Sequence, residues 1–129
     1  MKFLLDTHVF LWLRLDPDRI RRATRDRLAS EGTEIALSAV SGWEMASKQA
    51  LGRLALPDLA RRWLPIALEE LRCEPLALSL DHAIEAALLP SHHGDPFDRF
   101  LVAQARVEGL TLVTADKGLS RYQVEILRA

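Results

Sequence analysis

Short apolar runs alternate along this chain with longer stretches in which apolar residues recur at helical spacing. Lys2 to Leu5 is a brief apolar run closed by Asp6, too short for a helix, and it predicts a buried strand. Thr7 or Asp6 can cap the next segment, His8 to Leu15, whose apolar positions are Phe10, Leu11 and Leu13. Asp16-Pro17-Asp18 is a turn that also starts a helix, expected over Arg19 to Ser30. That spacing puts Ile20, Ala23 and Leu28 inward and the arginines outward, with Glu31-Gly32 as the stop. Glu34 to Ser38 predicts a second strand, and Ser38 or Ser41 caps a helix over Val40 to Leu51 that Gly52 closes. Asp58 caps a further helix reaching about Arg72, which Pro65 should kink or divide. Glu74 to Leu78 predicts a third strand, and Ser79 or Asp81 starts a short helix through Leu89, stopped by Pro90. After the loop Ser91 to Asp95, Pro96 opens a helix that Gly109 ends. Thr111 to Thr114 predicts a fourth strand, and Val124 to Leu127 a fifth at the sheet edge.

Alternating strand and helix patterns predict an α/β fold: a mainly parallel sheet of four to five strands with helices on both faces, a Rossmann-like three-layer arrangement. With 129 residues and no repeat, linker or low-complexity tract, one domain over residues 1–129 is expected. The balance of 49% hydrophobic and 27% charged residues is that of an ordinary globular chain. A net charge of -1 predicts neither nucleic-acid nor membrane binding, so any attraction to a polyanion must come from a local patch. Cys73 is the one cysteine, which excludes an intrachain disulfide and fits a reducing compartment; its expected role is packing at a helix end. Asp6 comes too early for a signal peptide, and no apolar run reaches membrane-spanning length, so a cytoplasmic location is expected.

Four acids change the picture. Asp98 suits the first turn of its helix, where the dipole favours negative charge, yet it shares a face with Leu101, Val102 and Ala105. A carboxylate at the end of a buried stripe is costly unless its charge is compensated. Asp6 ends the first predicted strand, and Asp116 lies just past the fourth. Glu44 sits in the first turns of the helix after the second strand, and Asp98 begins the helix feeding the fourth. All four therefore fall on the carboxyl rim of the sheet, where open parallel sheets bind ligands. Crowded carboxylates repel one another and take up protons, a penalty that a bound Mg²⁺ or Mn²⁺ removes. Such a site can activate water for in-line attack on a phosphodiester. Any one of these acids could instead be a simple cap. Glu44 could pair with Lys48 at i+4, and Asp95 is expected to cap the Pro96 helix from outside the metal shell.

Leu4-Leu5-Asp6-Thr7-His8, the segment Ser38 to Lys48 with Trp43-Glu44, His93-Gly94-Asp95-Pro96-Phe97-Asp98-Arg99 and Leu112-Val113-Thr114-Ala115-Asp116 resemble the PIN-domain family. More closely they resemble its VapC-like toxins of type II toxin–antitoxin systems, in order and spacing over nearly the whole chain. The resemblance implies a Mg²⁺- or Mn²⁺-dependent endoribonuclease that restricts growth by cutting RNA. It further implies a cognate antitoxin, a homodimer, and a mechanism in which activated water attacks phosphorus without a protein nucleophile. It assigns Asp6, Glu44, Asp98 and Asp116 as the acidic quartet, with Thr114 beside the last acid; Asp95 and Arg99, in the same block as Asp98, are candidates for supporting roles that the resemblance leaves open.

The basic helix around Arg22 and Arg25 could contact RNA phosphates or be a solvated face. His92-His93 with Asp95 lacks a tetrahedral partner set for zinc, and His8 and His82 stand isolated. Trp12, Trp43 and Trp63 could stack on bases, though packing is the commoner role. Leu51, Leu54, Leu56, Leu59, Trp63 and Leu68 could form a groove for an antitoxin helix, or close the protein's own core or dimer. Two other functions compete. A haloacid-dehalogenase-like phosphatase needs an Asp two residues after its nucleophile, where this chain has His8. A degenerate PIN-like module would only bind RNA or a protein.

Overall fold

The computed structural model describes residues 2–92 and 94–129. His93, part of the motif before Pro96 and of the histidine pair, lies outside the described residues.

Five strands, β1 (Lys2–Leu5), β2 (Glu34–Ser38), β3 (Cys73–Leu76), β4 (Thr111–Thr114) and β5 (Ile126–Arg128), form one sheet in the order β3-β2-β1-β4-β5. Every pairing is parallel. Among the described residues six α-helices connect them: α1 (Thr7–Leu15), α2 (Arg22–Leu28), α3 (Ala39–Ala50), α4 (Ala60–Glu70), α5 (Leu80–Leu88) and α6 (Pro96–Glu108). The α/β expectation holds, fifth edge strand included.

The central strand explains its own run of apolar residues. Phe3 and Leu5 pack into one core with Val9 and Phe10 of α1, Met45 of α3 and Trp63 of α4. Leu4 points the other way, into a second core with Ala36, Leu112 and Leu101, Val102 and Ala105 of α6. Successive side chains of a strand face opposite sides, so a strand covered by helices on both faces must be apolar throughout. β1 is also where the topology reverses, since the chain steps to β2 on one side and returns as β4 on the other. Between β1 and β4, at their carboxyl ends, lies the switch-point crevice.

Several boundaries differ from expectation. The helix expected over Arg19 to Ser30 is a 3₁₀ turn, Pro17–Arg19, followed by α2. Ile20 and Arg21 are extended between them, and Ile20 is almost fully buried. Anchoring Ile20 in the core rotates α2 so that Thr24, rather than Ala23, is buried. Pro65 does not divide α4, which runs unbroken past it. Asp58 does not cap α4 at its N-cap position; it bonds Leu59 N and Arg62, while Gln49 Oε1 of α3 accepts from Ala60 N at 2.8 Å. The third strand starts earlier than expected, at Cys73, and tolerates Pro75 because it is an edge. Cys73 thus packs at a strand start, and burial, with the Glu74 charge beside it, pushes its thiol up to about 12. Among the described residues, no helix is long and apolar enough to cross a membrane.

Candidate active site

β1 and β4 are each followed by an acid that caps the next element. Asp6 follows β1 with an extended backbone and accepts from His8 N at 3.1 Å, which starts α1. Asp116 does the same beyond β4, accepting from Gly118 N at 2.8 Å to start a 3₁₀ turn. Asp95 accepts from Phe97 N at 2.9 Å, with Pro96 in the first turn of α6 and Asp98 behind it. Capping is therefore a true description of Asp6, Asp95 and Asp116.

It is not a complete one. Asp6, Glu44, Asp98 and Asp116 all line a single pocket of about 410 Å³, together with Asp95, His8, Trp12, Lys48 and Ala115. Asp6 and Glu44 are each 8% exposed, so the pocket wall is a place of reduced solvation for charge. Thr114, fully buried, donates its hydroxyl to Asp6 Oδ2 at 2.7 Å and accepts from Asp116 N at 3.0 Å. One side chain on β4 thereby fixes the acid after β1 and the backbone of the acid after β4. Thr7 donates to Ser41 at 2.8 Å, a buried bond that ties the start of α1 to α3 one turn before Glu44. Lys48 Nζ stands 2.6 Å from Glu44 Oε2, so the helix ion pair is formed as well.

The donor chemistry of the four acids, carboxylate oxygens only, suits a hard divalent cation rather than zinc or copper. As the side chains stand, no three His, Cys, Asp or Glu groups among the described residues are gathered in a metal-holding arrangement. Glu44 is turned to Lys48, and Asp6 and Asp116 are turned to their caps. These are rotatable side chains on a rigid rim, so the residues fit such an ion by type and position.

Other expected site residues lie elsewhere. Arg99 does not line the pocket; its guanidinium donates to the carbonyls of Ala86, Leu89 and Pro90 at 2.9 Å each, clamping the end of α5. Arg22 and Arg25 also lie outside the pocket lining, Arg22 4.0 Å from Asp26 and Arg25 bonded to the Ile20 carbonyl. Trp63 is core, with Leu54, Leu56 and Leu68 packed against its cluster, whereas Leu51 and Leu59 are exposed. Trp43 stands exposed with its ring 5.2 Å from that of Phe97. His8 and Trp12, read as an isolated histidine and a packing residue, belong to the pocket, their rings 6.0 Å apart. Helical spacing held the signal: His8 and Trp12 stand at i and i+4 on α1, just past Asp6.

A parallel sheet with acids from separate stretches of chain meeting at its switch point defines a class of α/β protein with a rim-bound acidic site. This chain belongs to the PIN-domain family, whose description matches residues 3–125. It is 35% identical over 123 residues to Ribonuclease VapC22 of Mycobacterium tuberculosis, covering 93% of this chain and 91% of that protein. The fold is shared with VapBC2 of Rickettsia felis, solved bound to a DNA fragment from its promoter (TM-score 0.76, 18% identity, 99% of this chain and 98% of that one). VapBC-5 of Mycobacterium tuberculosis, from the VapBC family of toxin–antitoxin systems, has a TM-score of 0.63 at 23% identity, covering 99% and 98%.

Proposed function

We propose that this chain is a divalent-metal-dependent endoribonuclease and the toxin of a toxin–antitoxin pair. The observation that carries the reading is the meeting of Asp6, Glu44, Asp98 and Asp116 in one pocket. The name of the ribonuclease relative and the toxin–antitoxin assignment of a solved neighbour support it. A Mg²⁺ or Mn²⁺ ion held there would supply Lewis acidity and a more acidic water at the phosphodiester. The four carboxylates are the groups that would hold the ion, and Thr114 keeps Asp6 oriented for it through the 2.7 Å bond. Asp95 shapes the same wall from the N-cap of α6. Arg99 supports the site by anchoring α6 to α5 rather than by touching substrate. Arg22 and Arg25 could add only peripheral phosphate attraction.

The test is cleavage of a broad RNA panel with Mg²⁺ or Mn²⁺, set against Asp6→Asn and Asp98→Asn. Cleavage by wild type and loss in both variants is the expected result. Equal inertness of all three, with metal and without antitoxin, would leave a binding module.

The expected partners are a cognate antitoxin and a second copy of the chain. Leu80, Ile84 and Leu88 form an exposed stripe along α5, 77%, 49% and 76% exposed. A separate apolar cleft is lined by Val40, Trp43, Leu78, Pro96, Phe97 and Phe100. Stripes of this kind mark interfaces, and here the proposed occupant is the second copy. Light scattering should find a dimer that Leu88→Glu converts to monomer; a monomeric wild type would rule the dimer out.

A further inference from the structure

The contact between Lys48 and Glu44 is unlike an ordinary surface pair. Exposed i,i+4 pairs contribute little and hold their ends loosely. Here the Glu44 side chain is only 10% exposed, the Lys48 side chain 42%, and the separation is 2.6 Å. Both residues line the pocket that also holds Asp6, Asp95, Asp98 and Asp116. A carboxylate in the wall of such a pocket feels its like-charged neighbours and gains most from a cation in contact. Helical side chains lean toward the N-terminus of their helix, so Lys48 reaches back along α3 toward the sheet rim. Its stem is unbranched and jointed, so the ammonium can leave Glu44 while the backbone stays still.

We infer that Lys48 is a resident counter-ion of the pocket: it holds Glu44 until a divalent cation takes that carboxylate, and then offers its ammonium to a phosphate of the RNA strand. This rests on the metal-dependent nuclease reading. An entering cation and the ammonium compete for the same oxygen atoms, so binding one releases the other. The released ammonium stays tethered one helical turn from Glu44, within the pocket wall. A compact point charge there suits a phosphate oxygen.

Two measurements test the exchange without relying on cleavage. The first is calorimetric titration of Mn²⁺ into wild type, Lys48→Gln and Lys48→Arg, with no RNA present. The second is binding of a labelled single-stranded oligoribonucleotide over a salt series, in chelator and in Ca²⁺, with the strand checked to be intact. Lys48→Gln should bind Mn²⁺ tighter by about threefold or more, because a competing charge is gone. Its salt slope in Ca²⁺ should fall by about 0.7, the share of one phosphate contact on a single strand. In chelator the slope should match wild type, and Lys48→Arg should restore it in Ca²⁺. Unchanged or weaker Mn²⁺ binding by Lys48→Gln, or an unchanged slope in Ca²⁺, overturns the proposal. If wild type cleaves RNA while Lys48→Gln changes neither quantity, Lys48 is a structural pair and the nuclease reading stands. If no RNA is cleaved but both quantities change as stated, the nuclease reading fails and the exchange survives it.

Discussion

Helix α6 meets a polar cluster at each end, and the two are assembled on opposite principles. At its N-terminus Asp98 joins four other carboxylates, Asp6, Glu44, Asp95 and Asp116, around the pocket. At its C-terminus Glu108, an acid where the helix dipole disfavours one, accepts from His82 Nε2 at 2.8 Å. His82 is 1% exposed, and its Nδ1 accepts from Ser79 N at 2.9 Å, which assigns the ring proton to Nε2. Ser79 in turn accepts from His82 N, completing the cap of α5. Gln104 of α6, fully buried, adds its amide nitrogen 3.4 Å from His82 Nδ1, and the cluster ties α5 to α6. The acid pocket gathers like charges on one wall and leaves its face open to solution. A network of paired groups serves the fold; a rim of like charges is where the chemistry is proposed.

Breaking each cluster should therefore give opposite results. The largest effect is expected from Asp98→Asn, which should lower RNA cleavage by more than the about 10- to 100-fold typical of outer-shell changes. Its melting temperature in chelator should stay level or rise, because one repelling charge is removed. A lower melting temperature would contradict the crowding view. His82→Ala should do the reverse. It removes the acceptor of the Ser79 N–H and leaves a cavity, a loss of about 2–4 kcal/mol in urea unfolding. Cleavage per folded molecule should be unchanged, and a fall in parallel with Asp98→Asn would erase the distinction between the clusters. Thr114→Val sharpens the contrast with the smallest expected change. It removes the hydroxyl that donates to Asp6 Oδ2, and Mn²⁺ affinity measured by calorimetry should drop about tenfold. An unaltered affinity would make Thr114 mere packing.

Much of this arrangement was legible in the chain. Asp6, Asp98 and Asp116 could be placed because each stands where an apolar run stops or a helix begins, and such boundaries are strong local signals. Ser38, Ser79 and Asp95 cap the helices expected of them, and Gly109 ends α6 in the left-handed conformation that favours glycine. What escaped was decided by contacts distant in sequence. The break at Ile20 and Arg21 follows from where Ile20 finds its core, not from local preference. The cap of α4 comes from Gln49 on another helix. Arg99 stands beside Asp98 and was expected to serve the site, but the next position on a helix points about 100° away, toward α5. His8 hid because a histidine just past a strand carries no meaning until the opposite wall is known.

The bond from Thr114 to Asp6 spans 108 positions, and β1 has no neighbour on its β4 side until that stretch exists. During synthesis the first acid of the pocket is made early and waits, paired on one side only, while the ribosome adds everything up to Asp116. Earlier portions of the chain can collapse, yet none of them can finish the pocket. The pocket proposed as the active site is thereby incomplete until Thr114 and Asp116 have been made and β4 has paired with β1.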